Sequence, residues 1–104
     1  MIKRNIPITK AIFGKEEKDA IIKPLESGWV VQGPYVSKFE KMFREFTKSK
    51  YAHATTSCTT ALHLGLVAMG ITSGDKVIVP SFTWISSANA VEYTGAEVVF
   101  CDIN

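Results

Sequence analysis

At 104 residues the chain is no larger than one ordinary domain, and a hydrophobic share of 46% is too high for a disordered segment. Its net charge of +2 comes from interspersed Lys and Glu, which argues against nucleic acid or an anionic membrane surface as the main partner. The two cysteines, Cys58 and Cys101, form no Cys-x-x-Cys and no histidines pair with them, so the pattern argues against structural zinc and suits reduced thiols better than a disulfide framework.

The opening residues, Met1 to Pro7, lack the apolar stretch of a signal peptide. No apolar run approaches the roughly 20 residues needed to cross a bilayer, so the expectation is a soluble, cytoplasmic protein. Lys15 to Ser27 reads as a first helix with Ala20, Ile21 and Leu25 on one side. Pro24 should bend or stop it, because proline lacks the N–H donor and crowds the preceding turn. The stretch Gly28-Trp29-Val30-Val31-Gln32-Gly33-Pro34 is punctuated by glycine and proline and reads as a loop. From Tyr35 to Thr47, Val36, Phe39, Met42, Phe43 and Phe46 recur at three- and four-residue steps, which predicts an amphipathic helix with a buried stripe.

Beyond Lys50 the pattern changes. Tyr51 to Thr55 is a short strand candidate, followed by the hydroxyl cluster Thr55-Thr56-Ser57-Cys58-Thr59-Thr60. Ala61 to Met69 is apolar nearly all round, which predicts a buried helix. Lys76 to Val79 is a strand whose Val-Ile-Val run suits a sheet covered on both faces. Trp84 to Tyr93 is a small-residue helix ended by Gly95, and Glu97 to Asp102 is a third strand. This order spells parallel β-α-β units preceded by two helices, an α/β chain.

Two places could carry chemistry. The hydroxyl cluster stands at a helix start, where unpaired N–H groups and a partial positive charge attract phosphate. Ordinary N-capping by Ser57 or Thr59 explains the same residues. The second place is Pro80-Ser81-Phe82-Thr83-Trp84, at the carboxyl end of a strand, where open α/β sheets bind ligands. Trp84 there either stacks on a planar ring or packs as a core residue under the loop. The rest read more plainly. His53 and His63 have no ligand-spaced neighbours, Lys15 to Lys18 is a solvated helix face, and Lys76 is a turn or surface residue. Cys58 sits where a helix dipole favours thiolate, although small size accounts for it as well.

Ser27 to Pro34 (SGWVVQGP), Thr56 to Leu64 (TSCTTALHL) and Gly74 to Trp84 (GDKVIVPSFTW) together resemble the DegT/DnrJ/EryC1/StrS aminotransferases. So do Ala-Asn-Ala-Val and Gly-Ala-Glu-Val-Val-Phe-Cys-Asp behind them, and the match runs in order from about Ile6 to Asp102. The resemblance implies the start of the aspartate-aminotransferase type of large domain, the fold type I of pyridoxal-phosphate (PLP) enzymes. Residues 1–34 would form an N-terminal helix and substrate-side loop, and 35–104 the beginning of the PLP-binding domain. Its implied activity moves an amino group from glutamate or glutamine to a nucleotide-linked keto sugar, in a homodimer. Ser57, Cys58, Thr59 and Thr60 would hold the PLP phosphate, and Trp84 would stack on the pyridine ring. Trp29, Val30, Val31 and Gln32 would line the sugar-nucleotide site. The family's Schiff-base lysine and the aspartate paired with the pyridine nitrogen fall beyond Asn104, so these residues alone should be inactive.

Two further expectations attach to the resemblance. It leaves Tyr51 to Thr55 apart from the other two strands, which pair with each other, and it leaves the helix from Ala61 uncovered. The rival readings are a PLP-dependent sugar dehydratase and a non-catalytic dimerisation or ligand-sensing domain. Phe82-Thr83-Trp84 leans towards transfer over dehydration.

Overall fold

The structure, a computed structural model, describes residues 7–103; Met1 to Ile6, within the stretch read as carrying no signal peptide, lie outside them. The chain divides into two compact units between Lys48 and Ser49.

The first unit holds two helices. Helix α1 is Lys15–Ser27, and α2 is Pro34–Thr47. Gly14 has no side chain to cap α1, but the Glu17 carboxylate reaches back to its N–H at 2.7 Å. That bond and the one from its own backbone N–H hold the Glu17 carboxyl below its ordinary pKa. Of the bend or stop expected at Pro24, the stop does not occur. The chain continues helically through Ser27 and ends on Gly28, whose left-handed φ of 70° lets its N–H return to the Leu25 carbonyl. Helix α2 starts with Pro34 at its first position, where a missing N–H costs nothing. Phe39, Met42, Phe43 and Phe46 do fall on one face, but no residue of α2 is buried. The periodicity fixed the helix correctly and the burial incorrectly, because period reports which residues share a face and not what covers it.

The second unit contains α3 (Cys58–Ala68), β1 (Lys76–Pro80), α4 (Ser86–Glu92) and β2 (Glu97–Cys101). Strands β1 and β2 pair in parallel, Lys76 opposite Glu97 through Pro80 opposite Cys101. Their first residues also form an ion pair, 3.0 Å between Nζ and Oε2. The Glu97 N–H donates to the Asp75 carbonyl and the Ser81 N–H to the Cys101 carbonyl. With that register, the odd-numbered residues of β1 face β2. Lys76, Ile78 and Pro80 therefore turn their backbone groups to the opposite edge, which no described strand pairs.

The core is small: Val79, Val91 and Ala96, with Leu66, Ile71, Val77 and Val98 packed against them. It lies on one face of the strand pair, under α3 and α4, while Ile78 on the other face is 70% exposed. Among the described residues the sheet is thus covered on one face only, against the expectation from the Val-Ile-Val run. Tyr51 to Thr55 is not a strand, since no described strand lies beside it to complete a ladder. Helix α3 buries no residue, although it is apolar all round. Helix α4 begins two residues later than its composition suggests, which leaves Trp84 in the loop before it.

Candidate functional site

The start of α3 is built by its own hydroxyls. Ser57, in extended conformation, is the N-cap, and its Oγ accepts the Thr60 N–H at 3.1 Å. Thr60 Oγ1 lies 2.9 Å from Ser57 Oγ and 3.3 Å from Thr56 Oγ1. Thr55 Oγ1 donates to the Ser57 carbonyl at 2.9 Å, and the same carbonyl accepts the Ala61 N–H at 3.0 Å. These bonds occupy the N–H groups of Thr60 and Ala61. Among the described residues, those of Cys58 and Thr59 have no acceptor, and neither does the Thr59 hydroxyl. Three hydroxyls sharing two contacts also leave one proton free to donate from the Thr56–Thr60–Ser57 chain. Capping and anion binding are therefore not exclusive here. Ser57 caps the helix, and the next two N–H groups, at the positive end of an 11-residue helix, remain for an acceptor. A phosphate, with several acceptor oxygens and negative charge, fits that donor set.

Trp84 is not a core residue in this unit. Its side chain is 79% exposed on the loop after β1, beside Phe82 at 85%. The loop is anchored instead by its backbone and hydroxyls. The Trp84 carbonyl accepts the Ser87 N–H at 2.9 Å, and Thr83 Oγ1 lies 3.2 Å from Ser87 Oγ.

An open, mostly apolar groove of 340 Å³ runs along α3 from Ala61 to Met69 and along β1 from Val77 to Pro80, with Ser87 and Ala90 of α4 in its wall. Ala61 directly follows the hydroxyl cluster. Pro80 and Ser87 flank the loop that carries Trp84. The cluster and Trp84 thus belong to the same end of the unit, the carboxyl end of β1, where α/β sheets take their ligands.

In the first unit, Trp29, Val30, Val31 and Gln32 form the loop between α1 and α2. Trp29 Nε1 donates to the Gln32 carbonyl at 3.0 Å, and the Trp29 N–H donates to Ser27 Oγ at 3.2 Å. Val30 and Val31 are exposed. The sequence reading missed Gly33, which it took only as loop punctuation. A Cβ there would stand 2.1 Å from Trp29 Nε1. Among the residues read as ordinary, His63 lies edge-on to Tyr93 with ring centroids 5.6 Å apart, and Lys76 is exposed in its ion pair with Glu97. Both thiols are free. Among the described residues no His, Cys, Asp and Glu cluster could hold a metal ion, and no helix is long and apolar enough to cross a membrane.

A helix start with unspent donors and an exposed aromatic, together at the carboxyl end of a parallel strand, is the architecture of α/β proteins that hold phosphorylated ligands. The chain belongs to the DegT/DnrJ/EryC1/StrS aminotransferase family, whose profile matches residues 11–104. It is 47% identical to the spore coat polysaccharide biosynthesis protein SpsC of Bacillus subtilis, over 98% of this chain and 27% of SpsC. Among solved structures it is similar to the PLP form of the Streptococcus pneumoniae sugar aminotransferase Spr1654. That match has a TM-score of 0.86 and 31% identity, over 97% of this chain and 26% of the other. A GDP-4-keto-6-deoxymannose-3-dehydratase also matches, with a TM-score of 0.83 and 31% identity over 96% of this chain and 28% of its own. The chain thus spans about a quarter of the length of these relatives, and its α/β fold is that of the PLP sugar aminotransferases.

Proposed function

We propose that these residues are the phosphate-holding and substrate-loop portion of a PLP-dependent enzyme that transfers an amino group from glutamate or glutamine to a nucleotide-linked keto sugar. The observation that carries this reading is the pair of unspent N–H groups at Cys58 and Thr59, set at the same strand end as the exposed Trp84. The two N–H groups and the Thr59 hydroxyl hold the cofactor phosphate by charge-assisted hydrogen bonds. The Ser57–Thr60–Thr56 hydroxyl chain fixes the turn and lends its remaining proton. Trp84 would stack on the cofactor ring and help to orient it. When bound, PLP supplies an electron sink for chemistry at the carbon next to nitrogen. The lysine and the ring-nitrogen carboxylate come from outside these 104 residues, as does a second subunit that completes the sugar-nucleotide site beside Trp29 to Gln32.

Dehydration of a nucleotide-linked sugar is the second reading, favoured by the dehydratase that matches this segment at the same 31% identity as Spr1654. Turnover decides between them: amino transfer gives an aminated sugar nucleotide and a 2-oxo acid, while dehydration gives a deoxy sugar. The site itself is tested by cofactor retention in the complete enzyme. Trp84→Ala should weaken PLP binding by about 0.5–1.5 kcal/mol beyond the loss of buried area, and Thr59→Val should weaken it through loss of a donor. Unchanged retention in both variants would remove these residues from the site.

A further inference from the structure

We propose that Trp29 is a positioning residue that latches its own loop shut, and that Val30 and Val31 form the surface this loop offers to a ligand. The inference rests on the reading that the loop lines the sugar-nucleotide site.

The latch is visible in three places. First, the indole Nε1–H, the one polar group of the side chain, is spent on the Gln32 carbonyl three residues ahead, at 3.0 Å. A ligand therefore finds no free donor on this ring. Second, the loop's entry is tied to the last turn of α1. Ser27 Oγ accepts the Trp29 N–H and donates to the Pro24 carbonyl at 2.8 Å, and left-handed Gly28 closes the helix beside them. Third, the ring lies on Gly33. A Cβ at that position would meet Nε1 at 2.1 Å, Cδ1 at 2.8 Å and Cε2 at 2.9 Å. The φ of Gly33 is 169°, extended backbone that any residue adopts. What requires glycine there is the indole, not the backbone conformation.

With both ends of the loop held, its middle is presented outward. Val30 is 68% exposed and Val31 70%. Two adjacent β-branched side chains carry few rotamers and no polar atoms, so they make a stiff apolar contact for an apolar face of the ligand. Trp29, also partly exposed, acts through them.

The test is a double-mutant cycle in the complete enzyme, read as KM and kcat for the nucleotide-linked sugar, with Trp29→Ala, Gly33→Ala and the double variant. Each single change should raise KM by up to about tenfold, the equivalent of one net hydrogen bond, with kcat nearly unchanged. The double variant should be no worse than Trp29→Ala, because the added Cβ then has nothing to strike. Val30→Ser with Val31→Ser should raise KM to a similar degree. A spectroscopic arm follows the indole N–H resonances of the complete enzyme, with those of Trp29 and Trp84 assigned by their loss in Trp29→Ala and Trp84→Ala. Gly33→Ala should shift the indole N–H resonance of Trp29 and raise its exchange rate, leaving that of Trp84 in place. Multiplying effects of Trp29→Ala and Gly33→Ala on KM, or an unmoved Trp29 resonance, would overturn the latch. If the resonance responds but no loop variant moves KM, it is the placement of the sugar nucleotide at this loop that fails, and the ligand role of the valines with it.

Discussion

The two units of this chain have different sources of order. In the second, Val79, Val91 and Ala96 are buried and tie two strands to two helices. In the first, neither helix buries a single residue, and what fixes them is local: Glu17 on Gly14, Pro34 at a first turn, Gly28 in a left-handed cap. Helices of 13 and 14 residues are near the length at which isolated helices are marginal in water. Sequence-local terms should therefore govern the first unit and packing the second.

The strongest break of that contrast is one charge placed in each unit. Val91→Asp puts an unpaired carboxylate at a position 2% exposed and should cost roughly 3–5 kcal/mol, enough to abolish the cooperative transition of so small a core. Phe39→Asp, at a position 57% exposed, should leave the helical content by circular dichroism almost unchanged. Equal effects would mean that the units do not differ as described. Next in size is Pro24→Ala. It restores a donor for the Ala20 carbonyl inside α1 and should favour that helix by up to about 3 kcal/mol, seen as slower amide exchange between Asp19 and Ser27 and no change in β1 or β2.

Ser57→Ala removes the side-chain cap of α3 and should cost about 0.5–2 kcal/mol. Thermal unfolding of the second unit reports it, and Ser57→Asp should restore most of the loss. The smallest effect belongs to Glu17. Its carboxyl is held below the ordinary pKa by its own N–H and that of Gly14, so the charged form is the one that favours the helix. This contribution is complete above the ordinary carboxylate pKa and disappears as pH falls through the lowered value. The Gly14 amide shift should follow that titration, and Glu17→Gln should flatten it.

The same contrast explains what the residues alone disclosed. Helix α1 could be read to the residue, and α2, β1 and β2 to within one, because caps, prolines and periodicity are local signals. Burial was misjudged for the Phe39–Phe46 stripe and for the far face of β1, while α3 is uncovered, as the family resemblance implied and its composition alone did not. In each case an apolar pattern showed that a surface wants covering, while the described residues supply nothing to cover it. Tyr51 to Thr55 stands apart from the paired β1 and β2, as the resemblance implied, and forms no strand there, since strand propensity becomes a strand only beside a partner. At the candidate site the hydroxyl cluster was evident from composition. Its division of labour was not, because the Ser57 hydroxyl and carbonyl accept the N–H groups of Thr60 and Ala61 only with the turn the backbone makes at Ser57. Gly33 was opaque for another reason: the group that demands it, the Trp29 indole, is four residues away.

Pro80 settles where the sheet can stop. Its nitrogen faces the outer edge of β1, so the bond it cannot make is never missed by β2. On that outer side, however, only Lys76 and Ile78 have a hydrogen to give. Any neighbour zipping along the edge runs out of donors at the proline, whatever its own sequence. On the inner side the Ser81 N–H still reaches the Cys101 carbonyl, so the loop that carries Trp84 leaves the sheet tied to β2 and with no donor at Pro80 on the other edge.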